Sequence, residues 1–498
     1  MHYHLIGIAG TAMASLAGLL RTAGHRVTGS DAGVYPPMSD MLRDLRIDYA
    51  EGYRAENLRP TPDVVVVGNA ISRGNPELEA VLDRGIPYTS AAATLREEFL
   101  QDRTCIAVAG THGKTTTTSF LAWLLEAAGM NPGFLIGGVA ENFGTSFRLT
   151  DAPLFVIEAD EYDTAYFDKV PKMWHYRPRI AVVGNMEFDH ADIYRDARAY
   201  RWAFERFVNL VPSNGALIAG WEEEEVRALA VRSFAPVHSF ALGAEPAALG
   251  AEPATLPPPP PGERFPQQDA ALVAPAGHPR WRAVDMDYAG ELTRFTVLLD
   301  GAHWADVAMP VAGAFNVRNA LAALAAATAA GAPREGLVEG LRTFRSVRRR
   351  LEVRGEPGGV LVVDDFAHHP TAVRETLIAA RQRWPDRRVV AVFEPRSYTA
   401  QRKEFEQPYE EALGLADEIV VGALFHPERY DAATGLDPHA LVSRWSAAGK
   451  RALHEPDVGR IVAHLEGTTR AGDVILIMSN GAFGGLHGAL LEALEARA

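Results

Sequence analysis

The chain has 498 residues, and at about 150 residues per domain this length predicts about three domains. Hydrophobic residues make up 47% and charged residues 22%, a balance that excludes a wholly disordered protein. The 49 Lys and Arg against 63 Asp and Glu leave a net charge of -14. This charge disfavours a nucleic-acid-binding protein, but loops and helix ends can still bind an anionic ligand.

Cys105 is the single cysteine of the chain. One cysteine excludes an intrachain disulfide and a cysteine-rich metal site, and its apolar neighbours predict a small buried side chain. The first residues read as a strand, without a basic region leading into a long apolar run, so we expect no signal peptide. No run approaches the roughly 18 apolar residues of a membrane span, and we expect a cytoplasmic protein.

The first block, residues 1–102, alternates strands and helices. A strand over 4–8 leads through glycines into a helix over 12–23, a second strand follows over 25–31, and 64–67 reads as a strand buried on both faces. This order predicts a parallel nucleotide-binding sheet. Gly7 and Gly10 form a turn that suits a diphosphate, but their spacing is not G-x-G-x-x-G, and a plain strand–helix turn stays open.

A phosphate-binding loop opens the second block, residues 103–345. A strand over 104–109 feeds the loop Gly110-Thr-His-Gly-Lys114, and a helix follows over 115–128. Backbone N–H groups of such a loop can cradle phosphates, Lys114 can contact the β- and γ-phosphates, and the hydroxyl of Thr115 can ligate Mg²⁺. The loop is a shortened variant, because Val108 stands where the first glycine is usual.

Acidic side chains follow two further strands of the same block. Glu158-Ala-Asp-Glu comes after the strand 154–157, and Asn185-Met-Glu-Phe-Asp-His190 after the strand 180–183. Carboxylates beside a phosphate loop suit Mg²⁺, although a solvated acidic loop and a structural role for His190 stay open. Because all three loops follow strands, we expect them at one edge of one sheet.

The rest of the chain contains a proline-rich segment and a second doubly wound sheet. Residues 243–282, with five prolines at 257–261, read as surface loop or linker. Strand-like sequence resumes over 281–299, and a helix is predicted over 316–330. The third block, 346–498, has short apolar strands at 360–363, 389–393, 419–421 and 474–477, with helices such as 371–384 and 409–415 between them.

These motifs together resemble the Mur ligases, ATP-dependent amide-forming enzymes of peptidoglycan synthesis. The resemblance rests on the phosphate loop, Glu158-Ala-Asp-Glu, Asn185 with His190, Asn316-Val-Arg-Asn, the Arg349-Arg350 pair and Asp365-Phe-Ala-His-His-Pro. It covers essentially the whole chain in order. The histidine that is usual before the first asparagine of Asn316-Val-Arg-Asn is Phe315 here.

The resemblance implies an α/β fold with the three-domain Mur ligase architecture. The expected domains are an N-terminal Rossmann-like UDP-binding domain (1–102), a central P-loop ATPase domain (103–345, with the Pro-rich insertion at 243–282) and a C-terminal Rossmann-like domain for the peptide substrate (346–498). The implied substrates are UDP-N-acetylmuramate, ATP with Mg²⁺, and the tripeptide L-alanyl-γ-D-glutamyl-meso-diaminopimelate. Local sequences such as Phe393-Glu-Pro-Arg-Ser favour the tripeptide over L-alanine.

The resemblance also assigns residues to each ligand. The residues expected at ATP are Gly110, Thr111, His112, Gly113, Lys114, Thr115, Thr116, Asn316, Asn319 and Asp365. The residues expected at the UDP-sugar are Gly7, Gly10, Thr11, Met13, Ser30, Asp31, Asn69 and Asn185. The peptide candidates are His368, Arg396, Ser479 and Asn480; the metal ligands are Thr115, Glu158 and His190; the catalytic residues are Lys114, His190, Arg349 and Arg350.

Three alternatives stay open at this point. The first is an L-alanine ligase with the same chemistry, the second is a catalytically silent UDP-sugar-binding protein, and the third is a nicotinamide dehydrogenase that rests only on the Gly7–Gly10 turn.

Because ATP residues fall in two blocks, we expect domain closure around the nucleotide. We expect a monomer or weak dimer that contacts neither nucleic acid nor membrane.

Overall fold

The computed structural model describes residues 1–34, 38–188, 193–243, 279–425, 427–431 and 433–497. Three large sheets follow one another along these ranges, each flanked by helices, as the α/β prediction requires, and a small two-stranded sheet lies within residues 163–171. The predicted proline-rich segment falls largely on 244–278, outside the described residues, and His190 also lies outside them. The domain boundaries after residues 102 and 345 stay predictions.

The N-terminal sheet is wholly parallel, with strand order β3-β2-β1-β4-β5. Its strand β4 consists of four valines, three of them fully buried, because a strand covered on both faces needs a continuous apolar sequence. The predicted strand at 64–67 is observed with the same bounds. The elements are β1 His2–Ile6, α1 Thr11–Thr22, β2 Arg26–Asp31, α2 Met38–Asp44, β3 Asp48–Glu51, β4 Val64–Val67, α3 Pro76–Asp83, β5 Tyr88–Ser90 and α4 Ala91–Leu95.

The central sheet has ten strands in the order β17-β16-β15-β14-β13-β12-β6-β9-β7-β8. The first elements of the central domain are β6 Thr104–Ala109, α5 Lys114–Ala127, β7 Gly133–Ala140, β8 Thr145–Arg148, β9 Leu154–Glu158, the separate hairpin of β10 Asp163–Ala165 and β11 Asp168–Pro171, then β12 Ile180–Val183 and α6 Ala197–Asn209. The remaining ones are β13 Ala216–Gly220, α7 Glu224–Ala230, β14 Val237–Leu242, β15 Trp281–Asp287, β16 Thr293–Leu299, β17 Ala302–Met309, α8 Ala314–Ala329 and α9 Arg334–Arg342.

The order of the central strands decides where the chemistry can occur. β12, β6 and β9 are adjacent and parallel, so the loops that follow them meet at the same edge of the sheet. This confirms the expectation drawn from the three motifs. The predicted strand-like stretch 281–299 resolves into the antiparallel pair β15 and β16, since Gly290 turns the chain with a φ of +84°.

The C-terminal sheet has the order β18-β19-β23-β20-β21-β22, and all its pairs are parallel except β18 with β19. Its elements are β18 Glu352–Gly355, β19 Leu361–Asp365, α10 Pro370–Arg383, β20 Arg388–Phe393, α11 Glu406–Leu413, β21 Glu418–Val421, α12 Pro438–Ala447, β22 Arg451–His454, α13 Val458–Thr468, β23 Asp473–Met478 and α14 Leu486–Arg497.

The N-terminal domain packs on the edge of the central sheet. Helix α1 lies against β8, where Ser15 and Ser146 share a hydrogen bond of 2.8 Å. A Cβ atom at Gly18 would lie 2.1 Å from the ring of Phe147, so this approach requires glycine. The hairpin β10–β11 places Phe167 edge-on to Tyr88. No helix in the described ranges combines the length and apolar composition that a membrane crossing requires.

Candidate active site

All three domains line one cavity of about 890 Å³. Thr11 comes from the N-terminal domain, Lys114 and Glu158 from the central domain, and Arg350 and Asn480 from the C-terminal domain. Ligands of open α/β sheets bind beyond the carboxyl ends of the strands, and β6, β9, β12 and β19 all end at this cavity. A reaction that joins several substrates can therefore take place here.

The phosphate loop is built on backbone conformations that glycine accepts. Gly110 and Gly113 have φ angles of +141° and +78°, which side chains rarely tolerate. The side-chain amide of Asn185 accepts a hydrogen bond from the His112 N–H (2.8 Å) and donates to the His112 carbonyl (3.0 Å). Asn185, predicted at the UDP-sugar, thus holds the phosphate loop in place and also lines the cavity.

Lys114 begins α5 and points its ammonium at a buried acid. Its Nζ lies 2.9 and 3.0 Å from the two carboxylate oxygens of Glu161, which is fully buried, and 2.7 Å from the Gly110 carbonyl. Burial acts to lower the pKa of Lys114, but neighbouring carboxylates, with Glu161 foremost, outweigh it and the pKa is raised. The cation is therefore kept charged and fixed beside the phosphate loop.

The expected Mg²⁺ ligands lie next to one another. The hydroxyl of Thr115 donates to Glu158 over 3.0 Å, and the Gly137 N–H donates to the other carboxylate oxygen over 2.8 Å. Burial raises the pKa of Glu158, while the charge of Lys114 opposes this. Hydroxyl and carboxylate oxygens are the ligands that Mg²⁺ takes in proteins, so this pair fits the ion. The third predicted ligand, His190, lies outside the described residues.

The two asparagines that were expected to contact adenine lie on α8, which packs against α5. Asn319 on α8 accepts a hydrogen bond from the Thr117 hydroxyl over 3.1 Å, and Asn316 donates to the Ala312 carbonyl over 2.7 Å. Both line the cavity, as does Phe315. A Cβ at Gly113 would lie 2.5 Å from the Asn319 amide oxygen, so the helix and the phosphate loop are in close contact.

The two arginines expected at the phosphoryl group differ in position. Arg350 lines the cavity, with its guanidinium 5.2 Å from the Phe366 ring centre. Arg349 is not part of the lining; it donates to the carbonyls of Ser479 and Gly481 over 2.6 and 2.8 Å. Arg350 is thus the arginine of the pair that a bound phosphate can reach, and Arg349 fastens a loop of the C-terminal domain.

Asp365 ends β19 and is buried. Its carboxylate accepts hydrogen bonds of 2.8 Å from the N–H groups of Leu351 and Ala367. Burial raises its pKa, and the charge of Arg350 opposes this. The residue lines the cavity and also fixes the chain that carries Arg350.

The four peptide candidates divide into two pairs. His368 and Asn480 line the cavity. Ser479 is fully buried and its hydroxyl donates to Glu394, while the guanidinium of Arg396 stacks on Phe425 at 3.8 Å from the ring centre. Ser479 therefore acts inside the domain, and Arg396 lies outside the lining of this cavity.

Most of the other UDP-sugar candidates lie around the amino end of α1. Thr11 lines the cavity. Asp31 accepts a hydrogen bond from the Ala9 N–H over 2.9 Å and so shapes the turn that contains Gly7 and Gly10. Ser30 is fully buried and its hydroxyl donates to Glu77 over 2.9 Å. Met13 is likewise buried, whereas Asn69 is exposed and lies outside the cavity lining.

Glu161 and Glu187 are site residues that sequence reasoning did not single out. Glu187 lies 2.9 Å from His112 Nε2 and accepts a 2.9 Å hydrogen bond from Thr371 on α10. Hydrogen bonding from His112 helps to lower the pKa of Glu187 although burial acts to raise it. Both acids stand within the quoted motifs, but nothing in their spacing shows which acid of a run pairs with which base.

Comparison with known proteins agrees with this arrangement. Residues 2–103 match the Mur ligase family catalytic domain, 108–255 the Mur ligase middle domain and 349–481 the Mur ligase glutamate ligase domain. A curated relative from Escherichia coli, named UDP-N-acetylmuramate–L-alanyl-γ-D-glutamyl-meso-2,6-diaminoheptandioate ligase, is 40% identical over 499 aligned residues, which is 100% of this chain and 99% of the relative.

Solved structures give the same result. A murein peptide ligase from Psychrobacter arcticus is 36% identical, with a TM-score of 0.70 and 99% of each chain covered. The UDP-N-acetylmuramate–alanine ligase of Thermotoga maritima is 22% identical and shares the fold, with a TM-score of 0.78 over 100% of both chains. The chain belongs to the Mur ligase family.

Proposed function

We propose that the chain is an ATP-dependent ligase that joins UDP-N-acetylmuramate to L-alanyl-γ-D-glutamyl-meso-diaminopimelate in peptidoglycan recycling. The observation that carries the reaction class is the cavity in which Lys114, Glu158 and Arg350 meet. The cavity brings together side chains of two domains: Lys114 and Arg350 can bind phosphate, and Glu158 can bind a metal ion. A ligation of several substrates needs such a set. The cytoplasmic location and the oligomeric state stay predictions.

An acyl phosphate explains why ATP is needed. The lactyl carboxylate of UDP-N-acetylmuramate is a poor electrophile. One of its oxygens therefore first attacks the γ-phosphorus of ATP, which forms the acyl phosphate and releases ADP. The L-alanyl amine then attacks the acyl carbon, an amide bond forms, and inorganic phosphate leaves while the amine gives up a proton. Mg²⁺, held by Thr115 and Glu158, would offset the repulsion between the anionic reactants.

The residues of this chain bind and orient the reactants. The N–H groups of the phosphate loop and the ammonium of Lys114 would hold the ATP phosphates, and Glu161 keeps that ammonium in position. Arg350 would stabilise charge on the transferring phosphoryl group. Closure of the C-terminal domain would bring Arg350 to the nucleotide and exclude water, which would otherwise hydrolyse the acyl phosphate.

The identity of the amine rests on similarity across the full length. Relatives named as the tripeptide ligase are 40% and 38% identical over 100% and 99% of this chain, whereas relatives named as L-alanine ligases are 31–35% identical. The segment Glu394-Pro-Arg-Ser397, which favours the tripeptide, follows β20 in the C-terminal domain.

One assay tests the reaction and the amine together. The purified chain is incubated with ATP, Mg²⁺ and UDP-N-acetylmuramate, and either the tripeptide or L-alanine is added while phosphate release and the ligated product are measured. We expect product with the tripeptide and little with L-alanine. Product from L-alanine alone would overturn the proposed specificity, and unchanged turnover in Lys114→Ala would overturn the proposed reaction.

A further inference from the structure

Two histidines and a glutamate from two domains meet at one point of the cavity wall. His112 belongs to the phosphate loop, Glu187 follows β12, and His369 precedes α10 of the C-terminal domain. One ligand atom from each lies within 4.8 Å of the other two. His112 Nε2 is 2.9 Å and His369 Nδ1 is 3.8 Å from the same carboxylate oxygen of Glu187. All three residues line the cavity.

The surrounding contacts hold these donors in place. The second carboxylate oxygen of Glu187 accepts a hydrogen bond from Thr371 over 2.9 Å, so its other oxygen is turned toward the histidines. Asn185 fixes the backbone of His112 through two hydrogen bonds, and His369 is only 3% exposed. Such outer contacts orient the ligands of a metal site.

The donor set matches one class of metal ion. A tetrahedral zinc site with bonds of about 2.0–2.1 Å places its ligand atoms about 3.3 Å apart, close to the 2.9 and 3.8 Å found here. Two imidazoles and one carboxylate suit zinc and its transition-metal neighbours, whereas Mg²⁺ prefers an all-oxygen set. We propose that His112, Glu187 and His369 bind a divalent transition-metal ion of the zinc class, at a site separate from the Thr115–Glu158 pair.

The site would join two domains. His112 and Glu187 are carried by the central domain and His369 by the C-terminal domain, so a bound ion fastens the phosphate loop to the start of α10. Three protein ligands leave a fourth position for water or another oxygen ligand. The proposal concerns binding alone and does not depend on which amine the enzyme ligates.

The full-length protein, freed of metal by a chelator, tests the site with Co²⁺ as the probe. Tetrahedral Co²⁺ gives intense visible absorption bands, and these are titrated and then reversed with Zn²⁺ in the presence of millimolar Mg²⁺. The variants are His112→Asn in the central domain, His369→Asn in the C-terminal domain and Thr371→Val beside Glu187. His439→Ala is the control, because His439 and His454 form a histidine pair elsewhere, with ring centres 4.8 Å apart.

We expect one tetrahedral Co²⁺ per chain, displaced by Zn²⁺ and retained in Mg²⁺. Thr371→Val should weaken binding about 10- to 100-fold, either histidine variant should weaken it further because a direct ligand is lost, and His439→Ala should bind as the original chain does. Circular dichroism confirms that each variant is folded. Octahedral spectra, displacement by Mg²⁺, or unchanged affinity in His369→Asn would each overturn the proposal.

Discussion

The ammonium of Lys114 lies 2.9 Å from the carboxylate of Glu161, whose side chain is fully buried. An ion pair in this position fixes the one lysine of the phosphate loop before any ligand arrives. Removal of a single partner leaves an uncompensated buried charge, which costs about 3–5 kcal/mol.

A double-mutant cycle measures this pair. Lys114→Met should lower the free energy of unfolding of the central domain more than Glu161→Gln, because the glutamine still accepts a hydrogen bond while the methionine leaves a buried carboxylate. The double variant should be more stable than the sum of the two losses predicts, by at least about 1 kcal/mol. Urea unfolding checks this, and strictly additive losses would show that the two groups do not interact.

Asn185→Ala separates two roles of this side chain. Because the amide makes two hydrogen bonds to the His112 backbone, its loss should loosen the phosphate loop, raise KM for ATP about tenfold or more and lower kcat. Each lost hydrogen bond is worth about 1 kcal/mol. Steady-state kinetics with each substrate varied in turn decide the matter: a rise in KM for the UDP-sugar alone would favour the direct contact predicted from the sequence.

Gly113→Ala should damage nucleotide binding through both strain and a clash. The φ of +78° costs an alanine about 1 kcal/mol, and the new Cβ would lie 2.5 Å from the Asn319 amide oxygen. Gly129→Ala is the matched control, since its φ is +76° and a Cβ there has no atom within 4 Å. The thermal unfolding temperature and the affinity for ATP should fall further in Gly113→Ala than in Gly129→Ala. Equal losses in both variants would refute the clash.

Cys105 should be inert in the folded protein. The side chain is 2% exposed, and burial raises the pKa of its thiol to about 12. At pH 8 a reagent therefore cannot reach the sulfur, and the sulfur is not ionised to the reactive thiolate. A colorimetric thiol reagent should find no reactive group in the native chain and one per chain in guanidinium chloride. Rapid labelling of the native protein would contradict the burial of β6.

Asp364 should make stability depend on pH in the acid range. Burial acts to raise its pKa, but hydrogen bonding from His487 and the charge of Arg349 lower it overall. Because the pKa is lower in the folded chain, the ionised carboxylate stabilises the fold fully above the pKa of the unfolded chain, about 3.9. This stabilisation is lost as the pH falls through the pKa of the folded chain. The free energy of unfolding of Asp364→Asn should therefore be about 1–3 kcal/mol lower than that of the original chain at pH 7. Urea unfolding at several pH values should show this difference disappear below about pH 4, and a difference that stays constant with pH would exclude this ionisation.

Local sequence determined the strands, the phosphate loop and the edge at which the chemistry gathers. Apolar runs such as 64–67, 104–109 and 180–183 have the same bounds in the structure, because a strand buried on both faces needs an uninterrupted apolar sequence. The strand–glycine–lysine pattern likewise predicted a helix directly after the phosphate loop, and α5 begins at Lys114, one residue before the predicted start. The order of motifs along the chain sufficed to predict three α/β domains.

Only the tertiary structure decided which side chains meet. Thr371 and Glu187 are 184 positions apart, and no local pattern joins them. Neighbours in a turn also point in different directions: Arg350 lines the cavity while Arg349 binds the carbonyls of Ser479 and Gly481. Sequence specifies backbone conformation through neighbouring residues, whereas contacts across domains depend on how whole sheets and helices pack, and that packing turned a list of candidate residues into a site.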